Sequence, residues 1–370
     1  MSVLITVIAA LLVFSTMIAV HEFGHFFVAK LSGVQVNEFA IGMGPLLFRR
    51  IMGGTQYSLR LLPVGGYVAL EGEVSPESQQ AEAGAEDEDG DGEENPIPPE
   101  LRTGVPLNRV AVWKQMAIMA AGAFMNFVLG FVVLLAVVAT QQEVITSRVI
   151  YSIDEGALCG QTGLEEDDEI VAVNGRRCFI ANDILYELAR TESHQADITV
   201  RRDGVLVELP GVQFDVRQTG SGSYMDIGFV VYGIEKTPLN VLREAWNSEL
   251  YYGRIIFTTV VDLIRGRESI NNLSGPVGIV SAISQAASYG LGDVLELLAL
   301  LTINLGIFNL LPLPALDGGK LVFLLAEGVT GHPVPEKLQG MLTAATFVLF
   351  FGLMLFATYN DLLRLLGGVF

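Results

Sequence analysis

The chain has 370 residues, of which 51% are hydrophobic and only 17% are charged, whereas about a quarter of the residues of soluble globular proteins are charged. Together with a mean hydropathy of +0.47, this composition excludes an ordinary water-soluble protein and predicts a membrane protein. The net charge of −19 argues against nucleic acid as a partner, because phosphate binding requires clustered Lys and Arg. Eleven acidic and no basic residues lie between Glu73 and Glu100, so the rest of the chain carries only −8. Two cysteines, Cys159 and Cys178, exclude a disulfide framework and a Cys-rich metal cluster.

Four apolar stretches follow in chain order, and each approaches the roughly 20 residues that a helix needs to cross a hydrocarbon core. They cover residues 3–29, 116–140, 294–311 and 341–358. A cleaved signal peptide is the alternative for the first stretch, but this stretch has no basic start, is too long and precedes no small-residue cleavage site. The sequence therefore predicts four transmembrane helices.

Basic residues between the first and second helices predict the orientation, because cytoplasmic loops are enriched in Lys and Arg. The basic residues of this loop are Lys30, Arg49, Arg50, Arg60, Arg102, Arg109 and Lys114, whereas residues 2–20 have none. We expect this loop in the cytoplasm and the N-terminus outside. The segment between the second and third helices is then extracytoplasmic.

The segments outside the four helices differ in character. Residues 31–72 contain short β-type runs punctuated by glycines, which predicts a β-rich loop at the membrane surface. Residues 73–100 combine acidic residues with Gly and Pro and have few large apolar residues, which predicts a disordered insert. Strand-like alternation within residues 147–232 predicts a folded α+β domain.

Residues 238–264 have apolar and polar faces, which predicts an amphipathic helix that contains Trp246, Tyr251 and Tyr252. Such a helix lies at the outer membrane interface, where aromatic rings are favoured, or packs against the preceding domain. The sequence leaves both alternatives open.

The motif His21-Glu22-Phe23-Gly24-His25 carries the predicted chemistry. Residues four apart share one face of a helix, so His21 and His25 can present two imidazoles to one metal ion, with Glu22 beside them as a general base. Ionisable residues near the end of an apolar helix are costly in lipid and indicate a functional site. The alternative is that these residues simply lie at the aqueous boundary.

A catalytic zinc site has three protein ligands and an open position, so the motif requires one more ligand. His194 lies in the predicted external domain and His332 lies in a polar loop. Asp317 is the better candidate, because it and His21 lie at similar distances along two helices that enter from the same side. The alternative for Asp317 is a helix N-cap or a loop aspartate.

The residues before Asp317 predict an unwound strip beside the metal. Pro312 and Pro314 cannot continue a regular helix, and the Gly-Gly pair after Asp317 permits close backbone approach. Free backbone groups of the strip can pair with an extended substrate, and Asn309 can donate a hydrogen bond to its carbonyl oxygen. A hydrogen bond between helices is the alternative role for Asn309. The β-rich loop over residues 36–69 is a second predicted clamp, which would receive the unwound substrate by strand addition; a proline scan of residues 57–62 tests this role.

Several motifs together resemble the site-2 protease family of intramembrane zinc metalloproteases and, within it, the bacterial regulator of sigma-E protease. They are HEFGH, GMGP, PVGGYV, GPVGI and NLLPLPALDGG, and the similarity extends over nearly the whole chain outside residues 73–100. The resemblance implies that His21, His25 and Asp317 bind Zn²⁺, that Glu22 activates the water, and that Asn309 helps to hold the substrate. It also implies cleavage after another protease has trimmed the external part of the substrate.

The same resemblance implies that residues 147–232 form one PDZ-like domain, on motifs that include Val173-Asn174-Gly175. Asp167 occupies a position where the family usually has glycine. The domain is expected to act as a gate for substrates, and reading of a peptide C-terminus is the alternative. Both cysteines fall in this domain, as a disulfide or as two buried thiols.

The predicted fold is an α-helical polytopic membrane protein with four transmembrane helices, a membrane-associated β-rich loop and an inserted extracytoplasmic PDZ-like α+β domain. The predicted segments are transmembrane helix 1 with the HExxH motif (1–30), the β-rich loop (31–72), the acidic insert (73–100), the transmembrane helix 2 region (101–141), the PDZ-like domain (147–232), an amphipathic helix and linker (233–292), transmembrane helix 3 with the LDG motif (293–318), a cytoplasmic loop (319–340), and transmembrane helix 4 with a tail (341–370).

The predicted function is zinc-dependent hydrolysis of peptide bonds within or near transmembrane segments, in the bacterial cytoplasmic membrane. The predicted partners are membrane lipid, transmembrane substrates such as anti-sigma factors or remnant signal peptides, and an upstream site-1-type protease. A non-catalytic scaffold and an ion transporter are the alternatives. The scaffold gives Glu22 no role, and the sequence shows no internal symmetry of the kind found in transporters.

Overall fold

The computed structural model describes residues 3–73, 97–140, 143–191, 193–219 and 222–366. Its helices are α1 (Val3–Ser32), α2 (Val112–Thr140), α3 (Leu158–Gln161), α4 (Ala181–Ala189), α5 (Pro238–Ile264), α6 (Pro276–Tyr289), α7 (Leu291–Asn309), α8 (Asp317–Thr330) and α9 (Glu336–Leu366). Its strands are β1 (Val36–Met52), β2 (Thr55–Leu70), β3 (Ile145–Ile153), β4 (Glu169–Val173), β5 (Arg176–Arg177), β6 (Gln195–Arg202), β7 (Val205–Gln213), β8 (Asp215–Thr219), β9 (Gly222–Asp226) and β10 (Phe229–Ile234). The chain forms two compact units, one of Met1–Gly130 with Ile256–Phe370 and one of Phe131–Ile255.

Four of the described helices, α1, α2, α7 and α9, are long and apolar enough to cross a membrane. This agrees with the four predicted transmembrane helices, and the chain is a polytopic membrane protein. Small residues bring these helices close together. A Cβ added at Gly24 of α1 would lie 2.3 Å from the carbonyl oxygen of Ala121 in α2, and one at Gly130 would lie 2.7 Å from the side chain of Ile303 in α7. Such close backbone approach is typical of helix packing in membranes.

The strands β1 and β2 bend and form an antiparallel sheet of four paired segments. Residues 36–41 pair with residues 66–70 on one side and with residues 56–59 on the other, and residues 46–52 pair with residues 55–60. The edges of the sheet are therefore residues 46–52 and 66–70. Within the predicted clamp of residues 36–69, residues 57–59 pair on both sides, so the free backbone edge lies at residues 66–70 rather than in the stretch chosen for the proline scan.

One face of this sheet packs against α1 through aromatic rings. The ring of Phe26 lies 5.1 Å from that of Phe39 and 5.9 Å from that of Tyr57, measured between centroids. Large apolar side chains at the far edge stay exposed, such as Leu47 at 58% and Phe48 at 61%. An exposed apolar edge of this kind fits the predicted location at the membrane surface.

Gln35, at the junction of α1 and β1, joins three segments. Its side chain is fully buried, its Nε2 donates to the carbonyl of Gly54 (2.7 Å), and its Oε1 accepts from the backbone amides of Thr103 (3.0 Å) and Gly104 (3.1 Å). The last residues of the acidic insert predicted at 73–100 are folded. Ile97 is fully buried, and Pro99–Leu101 form a 3₁₀ turn. Residues 74–96, which make up most of the predicted insert, lie outside the described residues.

The third transmembrane segment ends earlier than predicted. α7 ends at Asn309, residues 310–316 are non-helical, and Asp317 is the first residue of α8. The unwound strip predicted around Pro312 and Pro314 is thus present, whereas the predicted cytoplasmic loop over 319–340 instead contains most of α8. The prolines end α7, whereas the apolar pattern after Asp317 restarts a helix. A Cβ added to either glycine after Asp317 would lie 2.2–2.3 Å from a carbonyl oxygen of the non-helical strip, so only glycine fits there.

The GPVGI motif forms the start of α6 and docks it on α9. The backbone amide of Gly278 donates to the carboxylate of Asp361 in α9 (2.7 Å), and Asp361 is fully buried. Pro276 occupies the first turn, where its missing amide leaves no unpaired donor. At the other side of α6, the hydroxyls of Ser284 and Thr6 lie 2.9 Å apart, so α6 also contacts α1.

The second unit is built around an antiparallel sheet in the order β10-β3-β4-β6-β7, with β5 paired to β4 and with β8 and β9 as a separate hairpin. Its core is a single cluster of buried side chains that includes Ile150, Ile170 and Val200. Asp183 caps α4 by accepting from the backbone amide of Ile180 (2.9 Å). This unit has the α+β composition predicted for residues 147–232.

Two details of the second unit answer questions that the sequence left open. Asp167 has a left-handed backbone (φ 67°), the conformation for which glycine is the usual choice, and its carboxylate accepts a hydrogen bond from the Tyr232 hydroxyl (2.9 Å). Cys159 and Cys178 are both free and buried. The alternative of two buried thiols therefore holds over the disulfide.

Candidate metal centre

Three side chains meet in the first unit with their donor atoms on a small triangle. The Nε2 atoms of His21 and His25 lie 3.2 Å apart, and Oδ2 of Asp317 lies 3.1 Å from the first and 3.3 Å from the second. All three side chains are largely withdrawn from solvent. The structure therefore brings together the residues that the sequence singled out as metal ligands.

The sequence explains how each side chain reaches this point. His21 and His25 are one helical turn apart in α1 and so share a face. Asp317 arrives from a different direction, because the non-helical strip turns the chain and places Asp317 in the first turn of α8. A Cβ added at Gly122 of α2 would lie 2.3 Å from Nε2 of His25 and 2.7 Å from Cε1 of His21. The absence of a side chain at Gly122 thus makes room for both imidazoles.

The donor set fits a tetrahedral zinc ion. Nitrogen and oxygen ligands about 2.0–2.1 Å from zinc in tetrahedral geometry lie about 3.3 Å from one another, close to the edges of the observed triangle. Oδ2 of Asp317 is buried and has no hydrogen-bond partner among the described residues. A buried carboxylate oxygen without a donor is costly, and a cation within the triangle would remove that cost.

The outer nitrogen of each imidazole is held by α2. Nδ1 of His25 lies 2.8 Å from the carbonyl oxygen of Ile118, which can only accept, so Nδ1 carries the proton and the Nε2 lone pair is free. Nδ1 of His21 lies 3.1 Å from the side-chain amide of Asn126. If the amide group is rotated by 180°, its oxygen Oδ1 takes the place of Nδ2 and accepts a hydrogen bond from Nδ1–H of His21. Oδ1 has no other partner among the described residues.

Sequence analysis missed Asn126, although a signal was present. Asn126 is a fully buried amide within an otherwise apolar helix, and such residues are rare and usually functional in membrane segments. It also lies four residues after Gly122, so both face α1 from the same side of α2. The pattern Gly-x-x-x-Asn in the second apolar helix would have placed it at the site.

Glu22 is next to the triangle and beside the β-sheet. Its carboxylate interacts electrostatically with both histidines and with Asp317. A Cβ added at Gly66, in the edge segment 66–70, would lie 3.4 Å from Cγ of Glu22. An edge segment of the sheet therefore lies beside the predicted general base.

The other predicted residues differ in their distance from the triangle. The Asn309 amide Nδ2 lies 3.5 Å from Nε2 of His21, which places Asn309 at the centre. Pro314 lies in the non-helical strip, where its carbonyl accepts from the Thr343 hydroxyl (3.3 Å). Pro312 lies in the same strip and is exposed. No contact of Pro312 with the triangle is present among the described residues.

A cavity of about 1070 Å³ opens beside the non-helical strip in the first unit. Pro314 and Ala315 of the strip line it, together with residues of α8, α9 and the start of α2. Lys320 and Glu73 form an ion pair at its wall (2.6 Å). The cavity thus borders the strip that precedes Asp317 and the first turn of α8.

The sequence profile of peptidase family M50 matches residues 9–353 of the chain. The chain is 32% identical to the zinc metalloprotease RasP of Shouchella clausii, over 97% of this chain and 99% of that protein. It is 30% identical to the regulator of sigma-W protease RasP of Bacillus subtilis, also over 97% of this chain and 99% of that protein. The similarity therefore spans both units and includes every residue of the triangle.

Proposed function

Because the chain belongs to peptidase family M50, the site-2 proteases, and is a membrane zinc metalloendopeptidase of that type, we propose that it uses the triangle of His21, His25 and Asp317 to cleave within or near transmembrane segments. The observation that carries this proposal is the 3.1–3.3 Å spacing of the three donor atoms beside Glu22. Two of the ligands belong to α1, a helix of membrane-spanning length. A peptide bond must therefore reach the site inside the membrane.

His21, His25 and Asp317 would hold the zinc ion in this proposal. Bound zinc supplies a Lewis acid toward the peptide carbonyl and the attacking water. Glu22 takes the proton from that water and later delivers it to the leaving amine. Asn309, with its amide 3.5 Å from His21, is placed to donate to the carbonyl oxygen as negative charge develops on it.

The substrate helix must unwind before cleavage, because its amides are hidden in internal hydrogen bonds. Two segments can receive the unwound strand. The first is the edge segment 66–70, where a Cβ added at Gly66 would contact Glu22. The second is the non-helical strip with Pro312 and Pro314. Addition of a strand to a sheet edge supplies backbone hydrogen bonds without sequence preference.

The N-terminus and the second unit lie outside the cytoplasm in this proposal, which rests on the basic residues between α1 and α2. The second unit is PDZ-like and controls which membrane proteins reach the site. A cavity of about 380 Å³ between α4 and the residues before β10, lined by Leu185, Met225 and Ile227, supports peptide binding as a second candidate role for this unit.

The substrates we propose are regulatory or remnant membrane segments in the bacterial cytoplasmic membrane. The Bacillus subtilis relative is a regulator of sigma-W protease, so an anti-sigma factor is one candidate class, and a remnant signal peptide is the other. A site-1-type protease acts upstream in this proposal, because a gate that excludes bulky external domains requires a trimmed substrate.

Purified wild type and Glu22→Gln, in detergent and with a model transmembrane substrate, test the proposal. We expect the wild type to cleave and Glu22→Gln to keep its zinc but lose cleavage, because Gln preserves shape and cannot accept the proton. Glu235→Gln, at an exposed glutamate of the second unit, is the matched control and should cleave normally. Equal cleavage by Glu22→Gln and the wild type would refute the role of Glu22 and favour a scaffold.

A further inference from the structure

The cavity beside the non-helical strip has one cation at its wall. Lys320 is the only Lys, Arg or His among the described residues that line it, and the other charged side chains there are Glu73, Glu327 and Glu336. The volume of about 1070 Å³ is slightly above the range of about 300–1,000 Å³ that is typical of ligand pockets. About 42% of the Lys320 side chain is accessible, so a ligand in the cavity can reach it.

Lys320 also belongs to the surroundings of the metal centre. It follows Asp317 by three residues in α8, so the two side chains share one face of the helix. Its ammonium group interacts electrostatically with the carboxylates of Asp317 and Glu22. The one cation of the cavity wall is therefore within electrostatic range of the groups that surround the reaction.

A carboxylate already binds the ammonium group of Lys320. Oε1 of Glu73 lies 2.6 Å from Nζ of Lys320, which is a short, charge-assisted hydrogen bond. Glu73 follows the edge segment 66–70 of the sheet, and its backbone amide donates to the carbonyl oxygen of Leu70 (3.3 Å). This contact shows that Lys320 is placed to receive a carboxylate. It also means that Glu73 competes with any carboxylate from another molecule.

Peptide hydrolysis supplies such a carboxylate. The C–N bond breaks, the oxygen of water joins the carbonyl carbon, and one fragment leaves with a new amine while the other keeps a new carboxylate. Acidic side chains differ from one substrate to another. The new carboxylate is the one anion that every substrate presents at this centre, whatever its sequence.

The cavity lies on the side toward which the fragment with the carboxylate leaves. Its wall includes residues 333–336 between α8 and α9 and residues 107–108 before α2, and both segments are cytoplasmic in the proposed orientation. A remnant signal peptide has its basic amino-terminal region on the same side. Its amino-terminal fragment carries the new carboxylate and leaves toward the cytoplasm.

We propose that Lys320 binds the carboxylate that cleavage creates on the amino-terminal fragment of the substrate, in exchange for Glu73, while this fragment leaves through the cavity. The inference rests on the proposed function, because it assigns a product site next to the same centre. Glu73 is the internal competitor at this site. Its return to Lys320 releases the product.

A fluorescent peptide with the sequence of the amino-terminal fragment of a model substrate tests the proposal. It is made with a free carboxyl terminus and with a terminal amide, and binding to the zinc-loaded protein in detergent is measured by fluorescence anisotropy. We expect the wild type to bind the carboxylate about tenfold more tightly than the amide, the effect of one hydrogen bond to a charged group. Lys320→Met should bring this preference to near one, and Glu73→Gln should increase it.

The controls separate loss of the cation from loss of the fold. Lys320→Arg keeps the charge and should keep the preference for the carboxylate. Lys337→Met makes the same change at an exposed lysine of α9 that is not among the residues lining the cavity, and should also keep it. Zinc content and helical content equal to those of the wild type show that Lys320→Met is folded.

Two results would overturn the proposal. A full preference for the carboxylate in Lys320→Met means that the product is held by the metal centre instead, and equal binding of both peptides by the wild type means that no carboxylate site exists. Cleavage of the model substrate is measured separately on the same wild-type preparation. Absence of cleavage would count against the proposed function, whereas the binding data alone decide the role of Lys320.

Discussion

Asn126 should set the zinc affinity of the centre through its hydrogen bond to His21. The substitution that removes this bond with little change of volume is Asn126→Leu. The side-chain amide of Asn126 lies 3.1 Å from Nδ1 of His21, and the whole residue is buried. Nδ1–H of His21 then has no acceptor and no access to water.

The magnitude follows from two separate estimates. A buried donor left without a partner costs about 1–3 kcal/mol. Loss of a group that orients a metal-bound histidine lowers metal affinity by about 10–100-fold, which corresponds to about 1.4–2.7 kcal/mol. The two ranges agree, and the complete burial of Asn126 favours the upper part of the range.

The assay is competition for zinc between the detergent-solubilised protein and a chelator of known affinity. Asn126→Asp is the decisive companion, because a carboxylate accepts from Nδ1–H but has no amide proton to donate. We expect Asn126→Asp to keep an affinity near that of the wild type and Asn126→Leu to lose it. Thr302→Val, which removes a hydroxyl near the Asn126 backbone carbonyl (3.4 Å), is the control for packing. Unchanged zinc affinity in Asn126→Leu would refute the reasoning.

Two further predictions concern the edge strand and the buried thiols. Gly66→Val should lower cleavage strongly with zinc content unchanged, because the new side chain meets the carbonyl of Ala40 (2.9 Å) and Glu22 (3.4 Å); normal cleavage would show that this edge does not border the reaction site. Burial raises the pKa of the Cys178 thiol to about 11, above the value of about 8.5 in an unfolded chain. Its contribution to stability is therefore present below about pH 8.5 and lost as the pH rises toward 11. A thiol reagent at pH 8 should leave Cys178 unmodified until the protein unfolds, and rapid modification of the folded protein would contradict this burial.

The sequence predicted which three side chains meet at the triangle, because most of the pattern that marks them is local. The spacing of His21 and His25 specifies one helical face, and the cost of ionisable groups in lipid marks that face as functional. Asp317 was also predicted, since few other ligands remained at the same depth. The hydrogen-bond partners of the two imidazoles come from α2, about a hundred residues away, and no local pattern links Asn126 to His21.

The prolines predicted the unwound strip after Asn309, but the helix that begins at Asp317 was not predicted. The glycine pair after Asp317 lets this helix pack closely against the carbonyl groups of the strip, and that packing is not visible in the local pattern. The sheet shows a similar limit. Alternating apolar residues predicted strands in residues 36–69, but the bends that make residues 57–59 interior arise from pairing along the whole sheet.

The most direct test of the central claim is zinc content measured on the same preparations as cleavage, for the wild type, His25→Ala and Asp317→Asn. The account predicts one zinc ion per chain in the wild type, and loss of both zinc and cleavage in each variant, with the helical content unchanged. Zinc retained at the wild-type level in both variants would contradict it, because the triangle would then not be the metal centre.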